Sequence, residues 1–560
     1  MAPLILHSQP FGERIPPNKR HSIISSLPTW ESVGGLGRGE DWVLLKVKSG
    51  YPRFCLNENV KQLNRIVLTR LNLSESGGMT SAVFVSAQSA TRCAADLNKV
   101  TSSCIEFSIV HFFQAGEAST ETQWAQFYAV IYPVDLFDVV FSYWRDSGDG
   151  ISTRHANFCL RRFNYLQSKS TNQAFCTFPT DPIEMLNEHT MGLSTSGIIE
   201  RDFIRSNIAR LVQSEKPGQR RVSLEDIFLH PGGMAAINSV ARALVGLGID
   251  SGIVGFGYLY GETAMVLKRH WSDFKLYSHA TSEGLDELEA SLQSGACVNA
   301  LWTDLPGNPT LVTPDMHRLR RLADEYDFLI ICDETVGTFI NTDLLPYVDV
   351  LVTSLTKIYS GFSDVLAGSV VVYPGSSRYV QLRNQLAISY EEKLFPLNIA
   401  VLRRNSRHFS ERVKVTNHNA KALAERLAAH PLVERINYPS FTTPDIYERY
   451  RRRGGGYGHL MCVIFKEPAN AVRFYNALDV CKGPSFGTAF TLTIPFSQLL
   501  TLAEQAALDA HGIPSHSIRI SVGMEDLDII LRKVSDALEM VEKFAGGFTS
   551  LSLHFRSPYT

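Results

Sequence analysis

Residues 328–368, FLIICDETVGTFINTDLLPYVDVLVTSLTKIYSGFSDVLAG, decide how the chain is read. The runs 328–332 and 348–352 are short, continuous and rich in β-branched residues, the pattern of strands buried on both faces of a parallel sheet. Asp333 and Lys357 then fall at or just beyond the carboxyl ends of adjacent strands, where open α/β sheets bind their ligands. Lys357 is flanked by hydroxyls in Ser354-Leu355-Thr356-Lys357. Taken singly, such an Asp caps a loop and such a Lys is a solvated charge. Together, an acid, an amine and two hydroxyls suit an aldehyde cofactor that carries a phosphate, which describes pyridoxal phosphate.

Working upstream, helices alternate with short apolar strands from Gly197 onward, which predicts a mainly parallel sheet flanked by helices. A helix is expected over 200–213, carrying Arg201 and Arg205, and a strand over 225–230. That strand meets Pro231-Gly232-Gly233-Met234 and an alanine-rich helix, a turn that aims free backbone N–H groups at an anion. A strand over 253–260 ends in Tyr260, whose ring could stack on a planar heterocycle or serve as core. The strand 298–303 runs into Asp304-Leu305-Pro306-Gly307-Asn308-Pro309. Asn308 there could donate to a phenolate oxygen or shape an Asn-Pro turn. A helix over 315–326 returns the chain to the opening strand.

Downstream, a helix-rich stretch over 401–430 leads to a smaller module with strands near 460–465, 490–493 and 518–522 and a closing helix over 524–544. It carries the polar turn Gly483-Pro484-Ser485-Phe486-Gly487-Thr488 and Arg519, a cation inside an apolar strand. Its partner could be a substrate carboxylate or an internal acid.

Residues 1–190 read as a separate α+β module, with sheet-like runs at 42–47, 105–113 and 127–132 and no glycine-rich phosphate loop. Arg53 and Arg154 there could reach a neighbouring active site or have structural roles. Residues 176–196 form the expected linker. The expected division is 1–190, 197–400 for the cofactor-binding large domain, and 401–560 for the small domain. At 560 residues, two or three domains are expected at about 100 to 200 residues each.

Charge excludes some functions. Lys+Arg number 54 against Asp+Glu 56, for a net charge of -2, so neither nucleic acid nor an anionic membrane is implied. Nine scattered cysteines show no C-x-x-C and no zinc spacing, so no metal is expected and a reducing compartment fits. No secretory signal is read at the N-terminus and no run approaches the roughly 18 apolar residues of a membrane span. A cytoplasmic location is expected.

With Tyr260, Asp333, Ser354-x-Thr356-Lys357 and Arg519-Ile520-Ser521-Val522-Gly523-Met524-Glu525 in chain order, the sequence resembles the cystathionine γ-synthase group of Cys/Met-metabolism enzymes, which are pyridoxal-phosphate-dependent and of fold type I. It is most similar to the fungal synthases with a long N-terminal extension, sharing Leu27-Pro28-Thr29-Trp30, Gly50-Tyr51-Pro52-Arg53-Phe54, Asp333-Glu334-Thr335, Asn405-Ser406-Arg407 and Lys482-Gly483-Pro484-Ser485-Phe486-Gly487-Thr488. The resemblance implies an aminotransferase-like large domain with a mainly parallel seven-stranded sheet, a smaller α+β C-terminal domain and the extra N-terminal module. It makes Lys357 the Schiff-base lysine, Asp333 the partner of the pyridine nitrogen and Tyr260 the stacking ring. Gly233, Met234, Ser354 and Thr356 would hold the phosphate, Thr335 and Asn308 would lie by the cofactor, and Ser485 and Arg519 would bind the substrate carboxylate. The family also sends a Tyr-x-Arg pair from a neighbouring subunit to the phosphate, for which Arg201 is the match although Ile199 stands in the tyrosine's place. A homodimer or homotetramer follows.

The implied reaction is γ-replacement on an O-acetyl-, O-succinyl- or O-phosphohomoserine through a vinylglycine-type intermediate. Gly232 replaces a usual Ser or Thr, and Ser363-Asp364-Val365-Leu366-Ala367-Gly368 differs from the Ser-Asn-Val-Met-Gly-Gly of fungal synthases. These departures admit a secondary-metabolism paralogue that adds a carbon nucleophile such as a β-keto acid or ester at Cγ. A β- or γ-lyase and a non-catalytic regulatory relative are the other readings, the last disfavoured by an intact Lys357 and Asp333.

Overall fold

The computed structural model describes residues 7–17, 19–50, 54–101, 107–116, 119–170, 175–180 and 196–551. Three sheets organise them. The central one has seven strands, β5 (Ile227–His230), β6 (Ile253–Phe256), β7 (Lys275–Tyr277), β8 (Ala300–Asp304), β9 (Leu329–Asp333), β10 (Val350–Thr353) and β11 (Gly368–Val372), in the order β5-β11-β10-β9-β8-β6-β7. Its pairings are parallel except where β11 runs against β10 and β5. Residues 329–332 and the whole of β10 are buried, as helices cover both faces of the sheet. The continuous apolar runs that opened the analysis are the sequence signature of that double burial.

Before it, β1 (Met79–Phe84), β2 (Ser108–Phe113), β3 (Gln126–Pro133) and β4 (Gln167–Ser170) form an antiparallel sheet in the order β1-β3-β2-β4. After it, β12 (Val433–Asn437), β13 (Leu460–Phe465), β14 (Cys481–Lys482), β15 (Leu492–Ile494) and β16 (Ile518–Ser521) pair in the order β12-β13-β16-β15-β14. Residues 7–50 do not join the N-terminal sheet. Leu27, Val33 and Val43 pack into the C-terminal core with Tyr475, Leu499 and Ile520, so among the described residues this segment belongs with the C-terminal core and not with the N-terminal sheet.

Several expected elements shift. The run at 42–47 is not a strand: Asp41–Leu44 is a short helix that buries Val43 and leaves Trp42 44% and Leu45 86% exposed. Four apolar residues in a row satisfy either period, and here the single inward position selects the helix. The run at 105–113 begins at Ser108, with 102–106 outside the described residues. β6 stops at Phe256, so Tyr260 is not a strand end; it precedes the helix Gly261–His270 as its N-cap residue. Most of the expected linker, 181–195, lies outside the described residues, as does Arg53. Among the described residues no helix is long and apolar enough to cross a membrane, and no group of three His, Cys, Asp or Glu is placed to hold a metal ion.

A buried ion cluster joins the N-terminal sheet region to the large domain. Asp149, 1% exposed, accepts from Lys393 Nζ at 2.9 Å and from Arg92 Nη2 at 3.0 Å, and Lys393 also meets Glu391 at 2.8 Å. Burial pushes the Asp149 carboxyl up, but Lys393, Arg92 and Arg242 outweigh it and hold the group well below the usual carboxylate range. A carboxyl depressed in this way contributes stability that is complete above its unfolded pKa and is lost as pH falls through the folded value. Asp149→Asn should therefore cost about 3 kcal/mol in urea denaturation at neutral pH, the scale for breaking a buried pair. The difference from wild type should close in acid.

Candidate active site

One cavity gathers residues from all three regions at the carboxyl ends of β8, β9 and β10. Lys357 lies four residues past the end of β10 and is 6% exposed. Its Nζ donates to Ser485 Oγ at 3.1 Å and sits 4.5 Å from the centre of the Phe486 ring. Thr335 ties the two strand ends together: its N–H donates to Asp333 Oδ1 at 2.9 Å, and its Oγ1 accepts from the Ser354 N–H at 2.8 Å.

Asp333 does not stand alone. In the parallel pairing of β8 and β9 it lies beside Asp304, whose Oδ2 accepts from the Tyr260 N–H at 2.9 Å. Burial raises both carboxyls. Asp304 is pushed well above the ordinary range because the charge of Asp333 is also near, whereas the hydrogen bonds from Thr335 and the charge of Lys357 pull Asp333 back. Of the pair, Asp333 is therefore the easier to ionise.

The phosphate end is built on the helix Gly233–Gly246. Gly232 is its N-cap with no side-chain cap, so the first-turn N–H groups remain for a ligand, and Gly232, Gly233 and Met234 all line the cavity. Gly233 is required sterically, because a Cβ there would lie 2.9 Å from Ser354 Cβ. Thr356 lines the cavity as well, but its Oγ1 donates to Ala367 O at 3.1 Å and accepts from Ala367 N–H at 3.0 Å. Its proton is used on the main chain.

Arg519, 5% exposed, sits in β16 and reaches the same centre from the small domain. Its Nη1 donates to Asn308 Oδ1 at 3.3 Å and its Nη2 to Ser485 O at 3.2 Å, with the guanidinium 4.6 Å from the Phe496 ring and 5.2 Å from Phe486. Asn308 and Ser485, assigned separate tasks on sequence, are thereby parts of one network with Lys357.

Two arginines do not join it. Arg201 pairs with Glu392 at 2.8 Å and does not line this chain's cavity. Arg154 is structural: it donates to Asp364 O, lies 3.8 Å from the Asp364 carboxylate, and reaches Asn398 Oδ1 at 3.3 Å. Sequence reasoning missed Asp304 as the neighbour of Asp333, and missed that residues of the N-terminal region, Asn57, Val60, Trp144, Arg145, Ile151 and Ser152 among them, wall the cavity. Gly50 and Cys55 also line it, whereas Tyr51-Pro52-Arg53 lies outside the described residues.

A buried lysine and an ionisable aspartate facing one cavity, an uncapped helix start and a glycine cradle fit pyridoxal phosphate in charge and in shape. A mixed seven-stranded sheet with this site at its carboxyl ends, followed by a smaller sheet domain, defines a fold-type I pyridoxal-phosphate enzyme. The chain belongs to the Cys/Met metabolism PLP-dependent enzyme family, which matches residues 222–539, and residues 59–152 match the fungal trans-sulfuration enzyme N-terminal domain. It is 38% identical to the cystathionine gamma-synthase-like protein ankD of Aspergillus thermomutatus over 96% of this chain and 95% of that one. It is 32% identical to the cystathionine gamma-synthase of Neurospora crassa over 95% and 98% of the two chains. The crystal structure of cystathionine gamma synthase from Xanthomonas oryzae pv. oryzae in complex with cystathionine shares the fold, with a TM-score of 0.52 at 23% identity, covering 67% of this chain and 95% of that one. The protein is thus a pyridoxal-phosphate-dependent, cystathionine γ-synthase-like enzyme.

Proposed function

We propose that the enzyme catalyses γ-replacement on an O-activated homoserine, with an acetyl, succinyl or phospho leaving group. The observation that supports this most is the Lys357–Ser485 hydrogen bond, which places the amine against the same segment that receives Arg519. Pyridoxal phosphate, when bound, supplies an electron sink for bonds broken beside the substrate's amino group. Lys357 would hold its aldehyde carbon, Asp333 would keep a proton on its ring nitrogen, and Tyr260 would face its ring. Gly233, Met234 and Ser354 would hold the phosphate, with Thr356 fixing the loop behind them, and Asn308 would lie by the phenolic oxygen. Arg519 and Ser485 would grip the amino acid's carboxylate and turn its Cα–H toward Lys357 Nζ, which moves protons at Cα and then at Cβ. The acyloxy or phosphate group leaves Cγ and a nucleophile takes its place.

A further cation would complete the phosphate site. Arg201, matched on sequence to the arginine that a neighbouring subunit supplies, is the candidate for it. Assembly is expected to be at least dimeric. Sedimentation should give a dimer or tetramer, and a fully active monomer would contradict it.

The reaction is tested by incubating the purified enzyme with each activated homoserine, with and without cysteine, and reading products by mass. A γ-substituted amino acid is the expected product. Only 2-oxobutyrate and ammonia, with or without an acceptor, would make the enzyme a lyase.

A further inference from the structure

Two stretches far apart in sequence, Leu27-Pro28-Thr29-Trp30 and Lys482-Gly483-Pro484-Ser485-Phe486-Gly487-Thr488, lie against each other. The Leu27 N–H donates to Lys482 O at 2.9 Å, so residue 27 adds to the outer edge of β14, the last strand of its sheet. Tyr475 Oη donates to Leu27 O at 2.7 Å, and the Trp30 N–H to Asn476 Oδ1 at 2.8 Å. Contact is closest at Gly483, where a Cβ would lie 2.6 Å from Ile24 Cγ2 and 2.8 Å from Ser25 O. Further back on the same segment, the Ile23 N–H donates to Ser363 O at 2.8 Å, and Ile23 lines the cavity. Residues 23–28 thus bridge the loop that follows Lys357 in the large domain and the turn that carries Ser485 in the small one.

Lys482 holds this bridge from within. It is 1% exposed, and its Nζ donates to two main-chain carbonyls, Pro28 O and Asn476 O, each at 3.1 Å, while lying 5.0 Å from the centre of the Tyr475 ring. Among the described residues it forms no ion pair, and Asp479 meets Lys533 Nζ at 3.3 Å and His7 Nδ1 at 2.5 Å instead. Burial pulls the Lys482 ammonium down to about 8 against the charge of Asp479, which leaves it protonated at neutral pH. An ammonium without a carboxylate partner is costly to bury, and an apolar side chain would avoid that cost. What the charge supplies is a grip on Pro28. The chain from there to the active site has little slack: the Gly483 N–H donates to Thr493 O at 3.1 Å and the Ser485 N–H to Gly483 O at 3.0 Å. Ser485 Oγ then receives Lys357 Nζ, and Ser485 O receives Arg519 Nη2.

Resting on the assignment of Ser485 and Arg519 to the substrate carboxylate, we propose that Lys482 is a positioning residue. By clamping residues 23–28 onto the turn, it fixes Ser485 and its contact with Arg519 in the geometry that grips the carboxylate. It touches neither substrate nor cofactor. A turn built before the ligand arrives lowers the ordering cost of binding. Without the clamp that cost falls on the carboxylate, because Lys357, Asp333 and Gly233 follow or belong to elements of the large domain and stay where they are.

The test uses two ligands without a leaving group, so it does not depend on γ-replacement. Holoenzyme is titrated with L-norvaline and with L-norvalinamide, which differ at the carboxylate, and binding is followed by the cofactor's visible absorbance. Lys482→Met should weaken L-norvaline by about tenfold, the scale of one charge-assisted hydrogen bond, and L-norvalinamide by less than about twofold. If that variant does not fold, Gly483→Ala, whose Cβ pushes Ile24 and Ser25 off the turn, should give the same contrast. Arg519→Ala is the reference and should also weaken L-norvaline selectively. Equal weakening of the two ligands in the folded Lys482 or Gly483 variant, or no weakening of either, would overturn the clamp while Arg519→Ala remains selective. Equal weakening by Arg519→Ala would overturn the carboxylate assignment and the clamp with it.

Discussion

Lys357→Ala is expected to lower kcat by at least about 10³-fold, within the range for removing a group that transfers protons in the rate-determining steps. The side chain is buried among Ser485 and Phe486, and its amine is in hydrogen-bond contact with the former. Nothing else described in the cavity can take over: Arg145 is the other cationic residue lining it, and it is held by Asp146. Far-ultraviolet circular dichroism should stay that of the wild type, since the lysine follows the last strand residue, Thr353, and leaves the ladder intact. Stopped-flow and steady-state assays of homoserine ester consumption check the rate. A variant within tenfold of wild type would remove Lys357 from the reaction.

Arg519→Ala is expected to lower kcat/KM by about 30-fold or more while leaving the cofactor spectrum in place. Losing a charge-assisted pair and stranding its partner costs roughly 2 to 5 kcal/mol. Arg519→Lys should restore little, because an ammonium cannot reproduce the planar fork that now reaches Asn308 and the Ser485 carbonyl together. The neighbouring arginines provide the contrast. Arg404 meets Asp364 at 3.4 Å and Arg403 lies 3.3 Å over the Phe203 ring, neither lining the cavity. If Arg519→Ala loses the cofactor or unfolds while Arg403→Ala or Arg404→Ala abolishes substrate binding, the carboxylate site is elsewhere.

The large domain was legible because its strands are buried on both faces, which turns burial into continuous β-branched runs that end in polar residues. Asp333 and Lys357 could be placed at adjacent strand ends from those runs alone. Asp304 was in view in its own turn, but its pairing with Asp333 depends on β8 lying beside β9, and sheet order is not written in a linear pattern. The helix at 41–44 was misread because an apolar run that short has no distinguishable period. The closing of the cavity by Val60, Trp144 and Ile151 left no local signal at all: each is an ordinary apolar residue whose meaning comes from the docking of one sheet region on another.

The central claim is that Lys357 holds pyridoxal phosphate in this cavity, and borohydride reduction of the purified holoenzyme followed by peptide mass mapping tests it most directly. The account predicts that the visible absorbance disappears and that the reduced cofactor's mass is found on the peptide containing Lys357. The label on any other lysine, or on none, would contradict it.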